Sequence, residues 1–168
     1  GANPRKLLQR HGIDPRSLSS PESLISLGAT ADLLEDTAAE TGCPDFGLRL
    51  GARQTPEMLG PLAVALQNAR TAEEAIGDAT RYLFVHSPAY EAVLDDPSPI
   101  DPACAVLRLG VRMPDQKPRR QLIEGIVASA WQLSRAITAG QLKLVAVWMP
   151  HTPSADEVIY RQLFECRV

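Results

Sequence analysis

Long apolar runs, concentrated charge and closely spaced cysteines are all scarce in this sequence, and each scarcity removes a class of protein. No stretch approaches the ~18 consecutive apolar residues that a membrane-spanning helix needs, and no basic start with an apolar centre marks a secretory leader. No membrane partner is therefore expected. The three cysteines, Cys43, Cys104 and Cys166, are scattered, with no Cys-x-x-Cys and no nearby pair of histidines. That spacing argues against a disulfide framework and for buried free thiols in a reducing cytoplasm. His11, His86 and His151 lie equally far apart, so no local ligand set for zinc exists and no metal or other cofactor is expected.

The net charge is −3, and near the amino terminus lysine and arginine gather at Arg5, Lys6, Arg10 and Arg16. Nucleic-acid affinity rests mainly on neutralising phosphates, so this chain alone should bind DNA poorly. The basic cluster reads as a solvated helix face. Catalytic signatures are missing as well. There is no G-x-S-x-G nucleophile turn, and Gly42, Gly47 and Gly51 form neither G-x-G-x-x-G nor a Walker-type phosphate loop. Neighbouring acids such as Glu73 and Glu74, or Asp95 and Asp96, point in different directions in a helix or strand. The chain is not expected to be an enzyme.

What is present is an ordinary globular composition, 45% hydrophobic and 22% charged over 168 residues. A chain of this size hides roughly 70% of its unfolded surface, so residues 1–168 are expected to form one domain. The densest local information lies between Thr41 and Tyr82. Gly42 stands where a left-handed cap is wanted, Pro44 opens a short turn that Gly51 would close, and Thr71 with Glu74 forms a T-x-x-E capping box. The helix so capped carries Ala72, Ala75, Ile76, Ala79 and Leu83 on one stripe.

Before that stretch, Leu7 and Leu8 begin a brief apolar segment ending near Gly12, and Asp14-Pro15 and Ser20-Pro21 each resemble an N-cap followed by proline. A helix from Ala29 to Thr41 would bury Leu33, Leu34 and Ala38 and expose Glu35, Asp36 and Glu40. After it, the period changes to that of strands at Tyr90–Leu94 and Ala103–Arg112, joined by the proline-rich DPSPIDP and paired as an antiparallel hairpin. Pro118 to Ala139 returns to the helical period with Leu122, Ile123, Ile126, Val127, Ala130, Leu133 and Ile137 on one side, stopped by Gly140. Leu142 to Met149 reads as a buried strand, and Ser154 with Glu157 as a second capping box opening a helix with Val158, Ile159, Leu163 and Phe164 inside. Cys166-Arg167-Val168 stands where another strand would begin, which suggests that the native polypeptide continues. The expected fold class is α+β: a helical amino-terminal part packed on a small, mostly antiparallel sheet with long covering helices.

A binding pocket needs only apolar walls and a few oriented polar groups. Candidates are Tyr82 and His86, one turn apart, with Tyr90 just beyond; Arg108 and Arg112, on one strand face, as readers of a carboxylate or phosphate; and Trp131, Trp148 and His151 as flat walls with one polar contact. Each also has a plainer reading. Aromatics fill cores, strand arginines face water, and His86 is an ordinary loop histidine.

The order of LLQRHGIDPRSL, PDFGLRLG, LGPLAVAL, ARTAEEAI with its later RY, and FECRV resembles the amino-terminal, arabinose-binding-like sensor region of AraC-type (AraC/XylS) bacterial transcription regulators. The resemblance implies a small-molecule effector and a homodimer, with DNA engaged only through a carboxyl-terminal pair of helix-turn-helix motifs that this sequence lacks. It transfers no ligand residues. A sugar site would gather several polar side chains around a stacking aromatic, and an apolar or amphipathic metabolite, with or without an acid group, suits the available walls better. The competing reading is a free-standing small-molecule-binding or scaffolding domain with no DNA-binding partner domain.

Overall fold

The structure, a computed structural model, describes residues 2–20, 23–113, 115, 117 and 119–168. It is an α+β fold in which helices dominate and two strands form an antiparallel pair. Contacts gather the chain into two compact units. One comprises Gly1–Ala52, Lys117–Ala128 and Leu144–Val168, the other Arg53–Gln116 and Ser129–Lys143.

In the first unit, Asn3 caps α1, Pro4–Arg10, which buries Leu7 and Leu8. Asp14 and Pro15 open a 3-10 turn at Pro15–Ser19; the similar signal at Ser20-Pro21 falls on Pro21, outside the described residues. Helix α2, Leu27–Thr41, starts two residues before the sequence expectation because the Ser26 hydroxyl accepts the Ala29 amide. It buries Ala31 and Ala38, whereas Leu33 and Leu34 are only half-buried. Its acids are engaged rather than simply solvated: Asp36 and Glu40 take Arg10, and Glu35 accepts the Gln121 amide.

Gly42 ends α2 in the left-handed region with φ 63°, and the Cys43 amide reaches back to the Ala38 carbonyl, a closure that a side chain would strain. Helix α3, Phe46–Gly51, follows, but Gly51 is a buried residue of its last turn and the cap is Ala52. The glycine that matters here is Gly47: a Cβ on it would lie 2.1 Å from the backbone oxygen of Gln121. Gln121 belongs to α6, Arg120–Ile137, whose residues through Ala128 lie in this unit. The expected start at Pro118 falls outside the described residues. Helix α7, Glu157–Phe164, buries Tyr160 and Phe164 completely.

Three expectations are corrected. The cap of α7 is Asp156, whose carboxylate accepts the Val158 amide, not Ser154, and Val158 is exposed. Leu142–Met149 is not a buried strand: its pairing is a single parallel bridge from Ala146 to Arg167, and Val145 and Trp148 are 66% and 67% exposed. An apolar run becomes a buried strand only where neighbours pair with it and cover it.

In the second unit, a 3-10 turn at Pro56–Leu59 and Gly60, at φ 58° and ψ −131°, lead into α4, Pro61–Gln67. Helix α5, Ala72–His86, is capped as expected: the Thr71 hydroxyl accepts the Glu74 amide at 3.0 Å. The Glu74 carboxylate returns to the Arg70 amide, one residue before the usual partner. Strands β1, Tyr90–Asp95, and β2, Val106–Val111, pair with Tyr90 opposite Val111 and Asp95 opposite Val106. Alternation turns Ala92, Leu107 and Leu109 to one face, against α5 and the later residues of α6. Ala139 and Gly140, both at positive φ, follow α6.

Candidate ligand-binding site

The second unit holds a partly open apolar cavity of about 100 Å³. Its walls come from every element of that unit, and each contributes for a local reason. The turn and α4 supply Leu59, Leu62 and Leu66; the capped stripe of α5 supplies Ala75, Ile76, Ala79, Thr80 and Leu83. The hairpin adds Ala92, Leu107 and Leu109 through its period of two, and α6 adds Ala130, Leu133, Ser134 and Ile137. Alanine at 75, 79, 92 and 130 is what leaves the space, since larger apolar residues would fill it. Among the described residues, the polar side chains in the lining are the hydroxyls of Thr80 and Ser134, and no charged residue is among them. Thr80 donates to the Gly77 carbonyl, leaving its lone pairs available.

None of the candidates named from sequence lines this cavity. Tyr82 is 42% exposed at the end of α5. His86 and Tyr90 do meet, with ring centroids 6.2 Å apart, and burial pushes the Tyr90 phenol above its ordinary pKa. Arg108 is held by Asp95 at 2.8 Å, and Arg112 by Glu91. Given the register, these are diagonal cross-strand ion pairs on the outer face of the hairpin. Trp131 is buried, with the Arg135 guanidinium 5.6 Å from its ring centroid. Trp148 lies exposed in the first unit.

His151, also in the first unit, belongs to a polar cluster that sequence reasoning missed. Glu124 is completely buried in the midst of the α6 apolar stripe. Its Oε1 accepts from the Tyr160 hydroxyl at 2.5 Å, the Ser154 amide at 3.2 Å and His151 Nε2 at 3.2 Å. Among the described residues its Oε2 and the Ser154 hydroxyl have no partner. Burial, reinforced by the Glu124 hydrogen bond and charge, pushes the Tyr160 phenol up to about 12. The signal was an acid flanked by Leu122, Ile123, Ile126 and Val127, a charge at a position the helical stripe would cover.

Gln121, one turn earlier, is equally engaged: its side chain accepts the Gly47 amide at 2.7 Å and donates to the Pro44 carbonyl at 2.8 Å. Together with Asp45, these contacts explain the PDFG motif. Asp45 is buried, which alone would raise its pKa, but hydrogen bonds from Arg49 and Cys43 outweigh that and hold the carboxyl below its usual value. The three cysteine thiols are unbridged and half-buried. No helix among the described residues is long and apolar enough to cross a membrane.

The motifs thus have structural duties, and the order in which they occur is shared with known proteins. The model of the arabinose-binding domain at the amino terminus of AraC transcription regulators matches residues 1–168. The HTH-type transcriptional regulator VirS, from two strains of Mycobacterium tuberculosis, is 32% identical over 170 residues, covering 100% of this chain and 49% of VirS. The chain therefore spans about half the length of these curated relatives. With a match along its whole length and the helix-and-hairpin cavity behind it, this chain belongs to the family of amino-terminal arabinose-binding domains of AraC transcription regulators.

Proposed function

We propose that this chain is the effector-sensing and dimerising part of a cytoplasmic, DNA-binding transcription regulator, and that the effector sits in the cavity of the second unit. The observation that supports the site is the cavity itself, walled by α4, α5, the hairpin and α6. An occupant would touch all of these elements at once and so favour one arrangement of them over another. The role is regulatory rather than catalytic. DNA contact is assigned to helix-turn-helix motifs outside this sequence, in keeping with the low net charge of −3.

The dimer contact is proposed away from α6, whose Leu122, Ala128 and Trp131 are buried within the chain. Phe84, Val85 and Val93 are exposed on the end of α5 and on β1, and they offer the better surface for a second copy. A melting-temperature screen of the chain against pooled small metabolites tests the sensing reading. At least one pool should raise the midpoint, because a ligand that binds only the folded state stabilises it by mass action. A midpoint unmoved by every pool would remove that reading.

A further inference from the structure

Resting on the assignment of the cavity as the effector site, the geometry points to a definite chemical class of ligand. It is a small, uncharged molecule with a compact hydrocarbon body and one hydroxyl or carbonyl group, not a sugar and not an organic acid.

Size is the first argument. A cavity near 100 Å³ is smaller than the roughly 300–1,000 Å³ typical of drug-sized ligands. It is closer to the ~150 Å³ apolar cavity that accepts benzene in an engineered protein. That leaves room for one ring or a short alkyl chain.

Charge is the second. A carboxylate or ammonium brought into a wall of leucine, isoleucine and alanine would lose its hydration with no ionic partner in return. Arg108 and Arg112, the cations nearest in sequence to the hairpin wall, face outward and are neutralised by Asp95 and Glu91. An acid group therefore finds no receptor in the lining.

Hydrogen-bonding capacity is the third. Among the described residues, the lining offers the hydroxyls of Thr80 and Ser134. Thr80 already gives its hydrogen to Gly77, so it can accept, and the Ser134 hydroxyl can donate or accept. One polar group on the ligand can be satisfied there, whereas the several hydroxyls of a pentose would be left without partners, each at a cost. The apolar wall thus selects against the sugar in the family's label.

The test is thermal melting of the chain with 1-hexanol and benzyl alcohol as neutral probes, and with hexanoate, benzoate and arabinose as charged and polyhydroxyl counterparts. The neutral probes should raise the midpoint by about 3–5 °C at tenfold saturation, and the others should leave it in place. Ala79→Leu should abolish the response by filling the space. Ala92→Val, a gentler filling that suits a strand, should weaken it and serves if the leucine variant fails to fold, with circular dichroism checking both. A response to hexanoate or arabinose equal to that of the alcohols would overturn the ligand class while leaving the cavity as the site. A response to alcohols that persists unchanged in both filled variants would overturn the site itself. No response to either neutral probe at millimolar concentration would also overturn the class.

Discussion

Individual residues carry two kinds of constraint in this chain: close approach and buried polarity. Gly47 illustrates the first. Its amide is bonded to Gln121 Oε1 and its α-carbon lies so near the Gln121 backbone that an added Cβ would meet the carbonyl oxygen at 2.1 Å. Gly47→Ala should therefore cost about 3 kcal/mol or more, at the upper end of overpacking effects because backbone rather than a flexible side chain must move. Urea unfolding of the two chains would measure it, and a loss below 1 kcal/mol would mean that the two helices separate easily. Tyr160 illustrates the second. Tyr160→Phe removes a donor from the buried Glu124 carboxylate and should cost about 1–3 kcal/mol near neutral pH. Its phenol titrates at about 12 in the folded protein against an ordinary value of 10.0. Between those values the unfolded chain releases the proton and the folded chain keeps it, so stability falls as pH rises through that window. The stability gap between wild type and Tyr160→Phe should accordingly be constant below pH 10 and shrink above it; a gap independent of pH up to 11 would contradict this assignment.

Elements were legible where a cap and a periodic stripe agreed. α5 has both: Thr71 satisfies the Glu74 amide and the stripe of Ala75, Ile76, Ala79 and Leu83 faces inward. Thr71→Ala should lower stability by about 1 kcal/mol through loss of the cap, measured as a shift in the denaturation midpoint with an unchanged slope. The hairpin was legible because Leu107 and Leu109 alternate with exposed Arg108. The segment from Leu142 to Met149 was not. Its composition suits a strand, but strand formation depends on a partner elsewhere in the chain, and the bridge to Arg167 is the pairing recorded there. Likewise α7 starts at Asp156 because that carboxylate, rather than the Ser154 hydroxyl, reaches the first free amide. Apart from His86 and Tyr90, whose rings meet, the candidate ligand residues lie outside the cavity lining for a related reason. Aromatic and charged side chains stand out in a sequence, whereas a cavity lined by alanine and leucine reads as core.

For the whole molecule, the proposed function joins sensing and self-association in one chain. Sedimentation equilibrium should show a dimer at micromolar concentration, and Phe84→Asp should shift it towards monomer while leaving the melting temperature of the isolated subunit close to wild type, because Phe84 is 61% exposed. A wild-type chain that stays monomeric at all concentrations would remove the dimer from the proposal. The family match spans the whole sequence, yet the proposed ligand class departs from the family's name, since function resides in the side chains lining a site rather than in the fold that carries them.

The sequence by itself determined the features that close within a few residues. These are the Asp14-Pro15 start of the first 3-10 turn, the left-handed glycine after α2, the Thr71 cap, the alternation of β2 and the stop at Gly140. Each is set by bonds and sterics spanning a single turn, so composition and spacing suffice. Tertiary structure alone decided that Gln121 and Glu124 are buried, that Gly47 rather than Gly51 is the critical glycine, and that small residues from α5, β1 and α6 leave a cavity between them. Those outcomes depend on partners far along the chain, as with Gly47 and Gln121, separated by 74 positions. No local pattern encodes which distant backbone a residue will meet.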